Sequence, residues 1–173
     1  MPRATANTKT FEEVLIAIKK KGLKIETATA GKKVLEGEVS AVFLSPSGEY
    51  YEELNDYSAV LKLTYGDKSF LFMGDAEALA EKEILQKFDV KSNVLKVGHH
   101  GSSTSSHNAF LKAVNPEIAV ISVGEGNDYG HPHKSVLNRL EKIGTRLYRT
   151  DLNGTVKIYC DGKSIEVKCE KGE

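Results

Sequence analysis

Five histidines occur in this chain, all between positions 99 and 133. Two are adjacent, in Val94-Leu95-Lys96-Val97-Gly98-His99-His100-Gly101-Ser102-Ser103, where a short apolar run stops at a glycine. Such a run reads as a buried strand, and open α/β sheets place ligand sites beyond the C-terminal ends of their strands. A second run, Ser69-Phe70-Leu71-Phe72-Met73-Gly74-Asp75, ends in glycine and a carboxylate 24 residues before His99. That separation fits a strand–helix–strand unit, which would bring Asp75 and His99 to one edge of a parallel sheet. The loop after a third apolar strand, Ile118 to Val123, supplies His131 and His133, preceded by Asn127 and Tyr129.

These residue types suit metal chemistry. A carboxylate can bridge two hard or borderline cations while imidazoles hold them from the side. Two ions so held would activate a water and clamp both oxygens of a displacement at phosphorus. Ser102, Ser103 and the backbone N–H groups of the glycine-containing loop are candidates to bind an anionic substrate oxygen. The plain alternative is a solvated turn that contains two ordinary histidines. Competing signatures are missing: there is no Gly-x-Ser-x-Gly nucleophile elbow and no phosphate-binding Gly-x-x-x-x-Gly-Lys-Ser/Thr. Ala30-Gly31-Lys32-Lys33 lacks both the upstream glycine and the downstream hydroxyl of the latter.

The 173 residues, 40% hydrophobic and 28% charged, suit one α/β domain with a sizeable core. Lys+Arg and Asp+Glu are equal at 24 each, so the net charge predicts no attraction of nucleic acid to the surface as a whole. A local stripe of Arg139, Lys142, Arg146 and Arg149 could touch phosphates, although a solvated helix face explains it more simply. No run approaches the roughly 18 apolar residues of a membrane span, and Met1 to Thr10 lacks the apolar core of a signal peptide. Cys160 and Cys169 are expected as free thiols. An Asp161-Gly162 two-residue turn would set Val156 opposite Val167 and Ile158 opposite Ile165, leaving the cysteines about 20 Å apart.

The elements that must position the histidines can be followed in order. Thr10 with Glu13 reads as a capping box, opening a helix whose face carries Phe11, Val14, Leu15 and Ile18 and which ends near Lys21-Gly22. The lysines 19–21 then suit a helix C-terminus. Short strands are expected over Leu23–Thr27 and Val39–Leu44. Tyr50 and Tyr51 could border a cleft or simply pack at a surface. A hairpin around Gly66-Asp67 would set Leu61 and Leu63 against Phe72 and Phe70, with both sheet faces covered. Helices follow over Ala76–Phe88 (Ala80, Ile84 and Phe88 inward), over His107–Val114 with Ser106 or a neighbour as cap, and from Pro132 to Gly144. Leu147–Arg149 and the final hairpin would complete the sheet.

Phe72-Met73-Gly74-Asp75-Ala76-Glu77, then Val94 through Ser102, then Asn127-Asp128-Tyr129-Gly130-His131-Pro132-His133 resemble the motifs of the metallo-β-lactamase superfamily. Closer still, they resemble its ComEC/Rec2 branch: the C-terminal domain of the competence DNA-uptake channel and its stand-alone relatives. Asn55-Asp56-Tyr57-Ser58-Ala59-Val60 with Leu61-Lys62-Leu63 resembles a strand of that branch, and the match runs from Thr10 to Val167. The resemblance implies an α/β (α+β) metallo-β-lactamase-like αβ/βα sandwich with a metal site at one sheet edge. By it, Asp75 matches the bridging aspartate and His99 the last histidine ligand. His131 matches a branch-specific histidine that would contact a phosphate or the leaving group as the catalytic residue. His100, Ser102, Ser103, Asn127, Tyr129 and His133 complete the site as substrate-facing candidates.

The family's first ligand block, His-x-His-x-Asp-His, is absent, and no histidine precedes His99. The next histidine ligand, expected before the aspartate, is missing too. The chain is therefore expected to be the C-terminal part of a longer domain, with residues 10–170 as one incomplete unit after a disordered or expression-derived tail, 1–9. A degenerate, metal-free relative is the alternative. The resemblance implies zinc, two ions in a longer parent, and a phosphodiester substrate such as DNA. The parent would be extracytoplasmic or attached to a membrane. The chain by itself is expected to bind zinc weakly and hydrolyse little, because a carboxylate and one or two histidines cannot hold a dinuclear site. The missing N-terminal half should leave an edge or apolar face uncovered, with a tendency to self-association.

Overall fold

A computed structural model describes residues 8–172. Residues 1–7, most of the expected tail, lie outside the described residues, while Lys9 already opens helix α1, Lys9–Lys20. Its cap is Thr8, whose hydroxyl accepts from the Phe11 N–H at 3.2 Å; the expected cap, Thr10, lies inside the helix. Phe11, Leu15 and Ile18 are only half-buried and Val14 is exposed, so this amphipathic helix buries no residue fully.

Seven strands make one sheet in strictly sequential order: β1 Lys33–Leu35, β2 Val39–Ser45, β3 Val60–Tyr65, β4 Lys68–Phe72, β5 Val94–Lys96, β6 Ile118–Ile121 and β7 Arg146–Arg149. The first four run antiparallel and the last four parallel. The β3–β4 hairpin has the expected register, Leu61 opposite Phe72 and Leu63 opposite Phe70. The strand expected over 23–27 does not form; that segment is irregular and its Leu23 and Ile25 are exposed.

Each parallel connection carries a helix: α2 Ala78–Lys87, α3 Asn108–Val114 and α4 Lys134–Lys142. They bury Ala80, Ile84, Phe110, Leu111, Val114, Val136 and Leu140 against Leu71, Leu95, Ala119 and Ile121 of the sheet. This is an α/β fold with its main core on the helical face.

The other sheet face is apolar but thinly covered. Cross-strand partners share a face, which sets Phe43, Leu61, Phe72, Lys96 and Val120 in one row and Ala41, Leu63, Phe70, Val94 and Ile118 in the next. Over them lies a hairpin of β8 Val156–Cys160 and β9 Ile165–Cys169, which follows a short helix α5, Thr150–Asn153. It forms its own two-stranded sheet and does not extend the main one, against expectation. Its tip is pinned where the Asp67 N–H donates to Gly162 O at 2.7 Å. A Cβ on Gly66 would stand 2.5 Å from that carbonyl oxygen, and Gly66 has φ +55°, so the contact requires glycine. Between hairpin and sheet lies a cleft of about 290 Å³ lined by Phe70, Phe72, Val94, Lys96, Val120, Val156 and Ile158.

The hairpin register also differs from expectation. Asp161 Oδ1 accepts from the Lys163 and Ser164 N–H groups at 2.8 and 2.6 Å, closing a four-residue loop. Val156 therefore faces Cys169, and Ile158 faces Val167. Both thiols are free, and their strand positions are about 14 Å apart.

Candidate functional site

Gly74-Asp75 leaves the end of β4, and Gly98-His99-His100-Gly101 leaves the adjacent parallel β5. The two turns are joined directly, since the His99 N–H donates to Gly74 O at 2.9 Å. His99 and His100 both adopt positive φ, 45° and 54°, a conformation that L residues visit at a cost of about 1–2 kcal/mol each. Gly101 follows at φ +84°, and a Cβ there would stand 2.6 Å from Pro132 Cβ. This close approach lets the His133 N–H reach Gly101 O at 2.9 Å and brings the loop 124–133 over the histidine pair.

The imidazoles gather. The ring centroids of His99 and His131 are 5.6 Å apart, those of His131 and His133 4.8 Å, and Tyr129 stacks on His131 at 5.8 Å. His100 turns its Nδ1 to Ser122 O at 2.7 Å, a bond it must donate, which leaves Nε2 as the lone-pair nitrogen. That Nε2 stands 3.5 Å from Asp75 Oδ1. His131 is held below the ordinary histidine value, first by burial, then by His133, His99 and His100, with Asp75 opposing.

Other expected substrate contacts are committed elsewhere. Ser102 is buried and its hydroxyl pairs with that of Thr104 at 3.0 Å. The Asn127 amide bridges within its own loop, donating to His131 O at 2.6 Å and accepting from the His131 N–H at 3.0 Å, so it shapes the loop that carries His131. His133 Nδ1 accepts from the Ser103 N–H at 2.8 Å, leaving only Nε2 free. The loop N–H groups that were candidates for an anion are mostly taken: Ser102 by His99 O, Ser105 by Ser102 O, and Ser106 and His107 by the Glu81 carboxylate. Tyr129 and the Ser103 side chain remain exposed. Tyr51 is buried, donating to Glu83 at 2.6 Å, whereas Tyr50 is exposed.

Several positioning residues escaped sequence reasoning. Asn55-Asp56-Tyr57-Ser58, expected in a strand, forms a 3-10 turn that clasps the Asp75 turn. Ser58 Oγ accepts from the Asp75 N–H at 3.1 Å, and Asn55 Nδ2 donates to Glu77 Oε1 at 3.1 Å. Asp56, 6% exposed, accepts from the Ala80 N–H and so caps α2. Glu81, 2% exposed, does the same for α3: its carboxylate takes the Ser106 N–H and, at 3.0 Å each, the His107 N–H and Nδ1. Of the expected cap positions, Ser106 or a neighbour, the one before α3 is the neighbour His107, but no side chain of its own caps the helix and Glu81 supplies the bonds instead. Pro132 likewise precedes α4 and does not start it, since the cap position is His133. Arg139 donates to Ser105 O at 3.0 Å and Ser106 O at 2.8 Å, so it is not free for phosphate, and Arg149 is paired with Asp151 at 2.5 Å.

The sequence profile of the metallo-beta-lactamase superfamily matches residues 3–125. The chain belongs to that superfamily. It is 35% identical over 158 residues to ComE operon protein 3 of Bacillus subtilis, covering 91% of this chain and 20% of that protein. It is 42% identical over 118 residues to competence protein ComA of Neisseria gonorrhoeae, covering 67% of this chain and 17% of that protein. With recombination protein 2 of Haemophilus influenzae it shares 38% over 125 residues, 72% of this chain and 16% of the relative. The chain is thus ComEC/Rec2-like and spans about a fifth or less of the length of these relatives.

Metallo-β-lactamase folds usually bind metal, often zinc. The donors present are of the right kind: a carboxylate and imidazole nitrogens, two of them with their Nδ1 already bonded elsewhere. Their number falls short. Among the described residues no three His, Cys, Asp or Glu side chains are placed to hold one ion. The residues fit one side of a metal centre, not a whole one.

Proposed function

We propose that this chain supplies the C-terminal part of a metal-dependent phosphodiesterase or nuclease that works in DNA uptake. Asp75 and His99 would contribute ligands, and His131 would act on the substrate. The observation that carries this reading is the convergence of Asp75, His99, His100 and His131 beyond the ends of three adjacent parallel strands, β4, β5 and β6. The competence and recombination relatives support the pathway. When bound, zinc would activate water and stabilise charge at phosphorus. The chain's own part is to hold its donors in place by the Ser58, Asn55 and Gly101 contacts, and to set His131 beside them for proton transfer.

The test is zinc titration of the isolated chain by calorimetry, beside a chimera carrying the preceding His-x-His-x-Asp-His segment of a ComE-type relative. The chain alone should bind weakly. The chimera should bind zinc tightly and cleave a phosphodiester, and lose both with Asp75→Ala or His99→Ala. Tight stoichiometric zinc in the isolated chain would overturn the partial-site reading.

A second reading is a non-catalytic structural or interaction domain of a DNA-uptake apparatus. The shortage of gathered ligands among the described residues favours it. A chimera that binds zinc and cleaves nothing would favour it over the first.

A further inference from the structure

Glu77 stands directly before α2, where a glutamate ordinarily serves as a charge beside the helix N-terminus. Here it makes no side-chain cap bond, and Asp56 takes the Ala80 N–H in its stead. Its side chain turns to the site. One oxygen, Oε1, meets Asn55 Nδ2 at 3.1 Å, Thr104 Oγ1 at 2.9 Å and His99 Nδ1 at 3.0 Å. Those partners come from two separate segments, the 3-10 turn (Asn55) and the loop after β5 (His99 and Thr104), and the Glu77 side chain is 21% exposed.

We propose that Glu77 is a positioning residue that fixes the tautomer and ring orientation of His99. An ionised carboxylate has no proton to give, so each of its partners must donate. His99 therefore carries its proton on Nδ1, and Nε2 keeps its lone pair. With Nδ1 anchored to Glu77 and the backbone N–H to Gly74 O, the ring has one orientation. Histidines that must offer a nitrogen to a metal or a proton donor are commonly held in this way by an outer carboxylate. Thr104 and Asn55 then act on Glu77, keeping it in place. What Nε2 is for rests on the proposed function; the tautomer does not.

The experiment is long-range proton–nitrogen correlation NMR of the metal-free chain at pH 8, where imidazole is neutral. Wild type should show His99 as a single Nδ1–H tautomer. Glu77→Ala should shift the ring towards the Nε2–H form that free imidazole prefers, while Asn55→Ala should leave Nδ1–H dominant. In the zinc-binding chimera, Glu77→Ala should weaken affinity about 10- to 100-fold. A wild-type His99 found as Nε2–H would overturn the proposal whether or not any variant folds, and so would a tautomer unmoved by Glu77→Ala. Loss of the tautomer with unchanged zinc affinity would support the role of Glu77 and count instead against the metal reading of the site.

Discussion

Gly101 is where the histidine turn and the Pro132 loop come closest, and two constraints meet on it: a φ of +84° and a neighbour 2.6 Å from where a Cβ would lie. Gly101→Ala should cost about 2 kcal/mol or more of stability in urea unfolding, through the left-handed conformation and the displaced loop together. Glu81 tests a buried charge. Burial pushes its carboxyl up, against the hydrogen bonds from His107 and Ser106. A carboxyl raised in the fold binds its proton more tightly there than in the unfolded chain. Its stabilising share is full below about pH 4.3 and is lost as pH rises through the folded value. Glu81→Gln should remove that segment of the stability–pH curve; a curve unchanged by the substitution would refute the assignment. Asp75 and the histidines were legible because a carboxylate or imidazole straight after an apolar strand and a glycine is unusual. Glu77 and Glu81 were not, since glutamates near a helix start read as solvent-facing, and neither was Asp56, an acidic residue in a polar turn. One signal was available: Glu81 lies three residues before Ile84, on the stripe that α2 buries.

The loop from Ser102 to His107 is the element that backs the site, and it is held from opposite sides. Glu81 on α2 takes its N–H groups, and Arg139 on α4 takes its carbonyls. A guanidinium reaches two carbonyls at once where an ammonium reaches them poorly. Arg139→Lys should therefore raise amide hydrogen exchange across 102–107 selectively, with little change in β4 or β5. Equal exchange in both proteins would show the clamp to be dispensable. The strand–helix–strand units and the β3–β4 register were readable because apolar runs of strand length alternate with amphipathic segments. The helix starts were displaced because caps came from distant side chains or from Thr8 just upstream, which local pattern does not reveal. The last hairpin slipped because Asp161 closes a longer loop with its own side chain, overriding the Asp-Gly turn preference.

Across the molecule, the sheet buries one face under three helices and leaves much of the other to a single hairpin, with Phe72 42% exposed. An apolar face of that extent favours association. Sedimentation velocity should show concentration-dependent self-association of the chain, and Phe72→Lys should shift it towards monomer without loss of secondary structure. A chain monomeric at all concentrations would argue that the hairpin covers the face well enough.

The strand order has a kinetic meaning as well. Every strand of the main sheet pairs with the one made just before it, so the sheet can grow strand by strand during synthesis without waiting for distant partners. The 156–169 hairpin breaks that order, reaching back to the turn after β3 through Asp67 and Gly162. It is a late latch: a chain truncated after Asn153 would still hold its sheet and its histidines, and only the closing of the second face would remain.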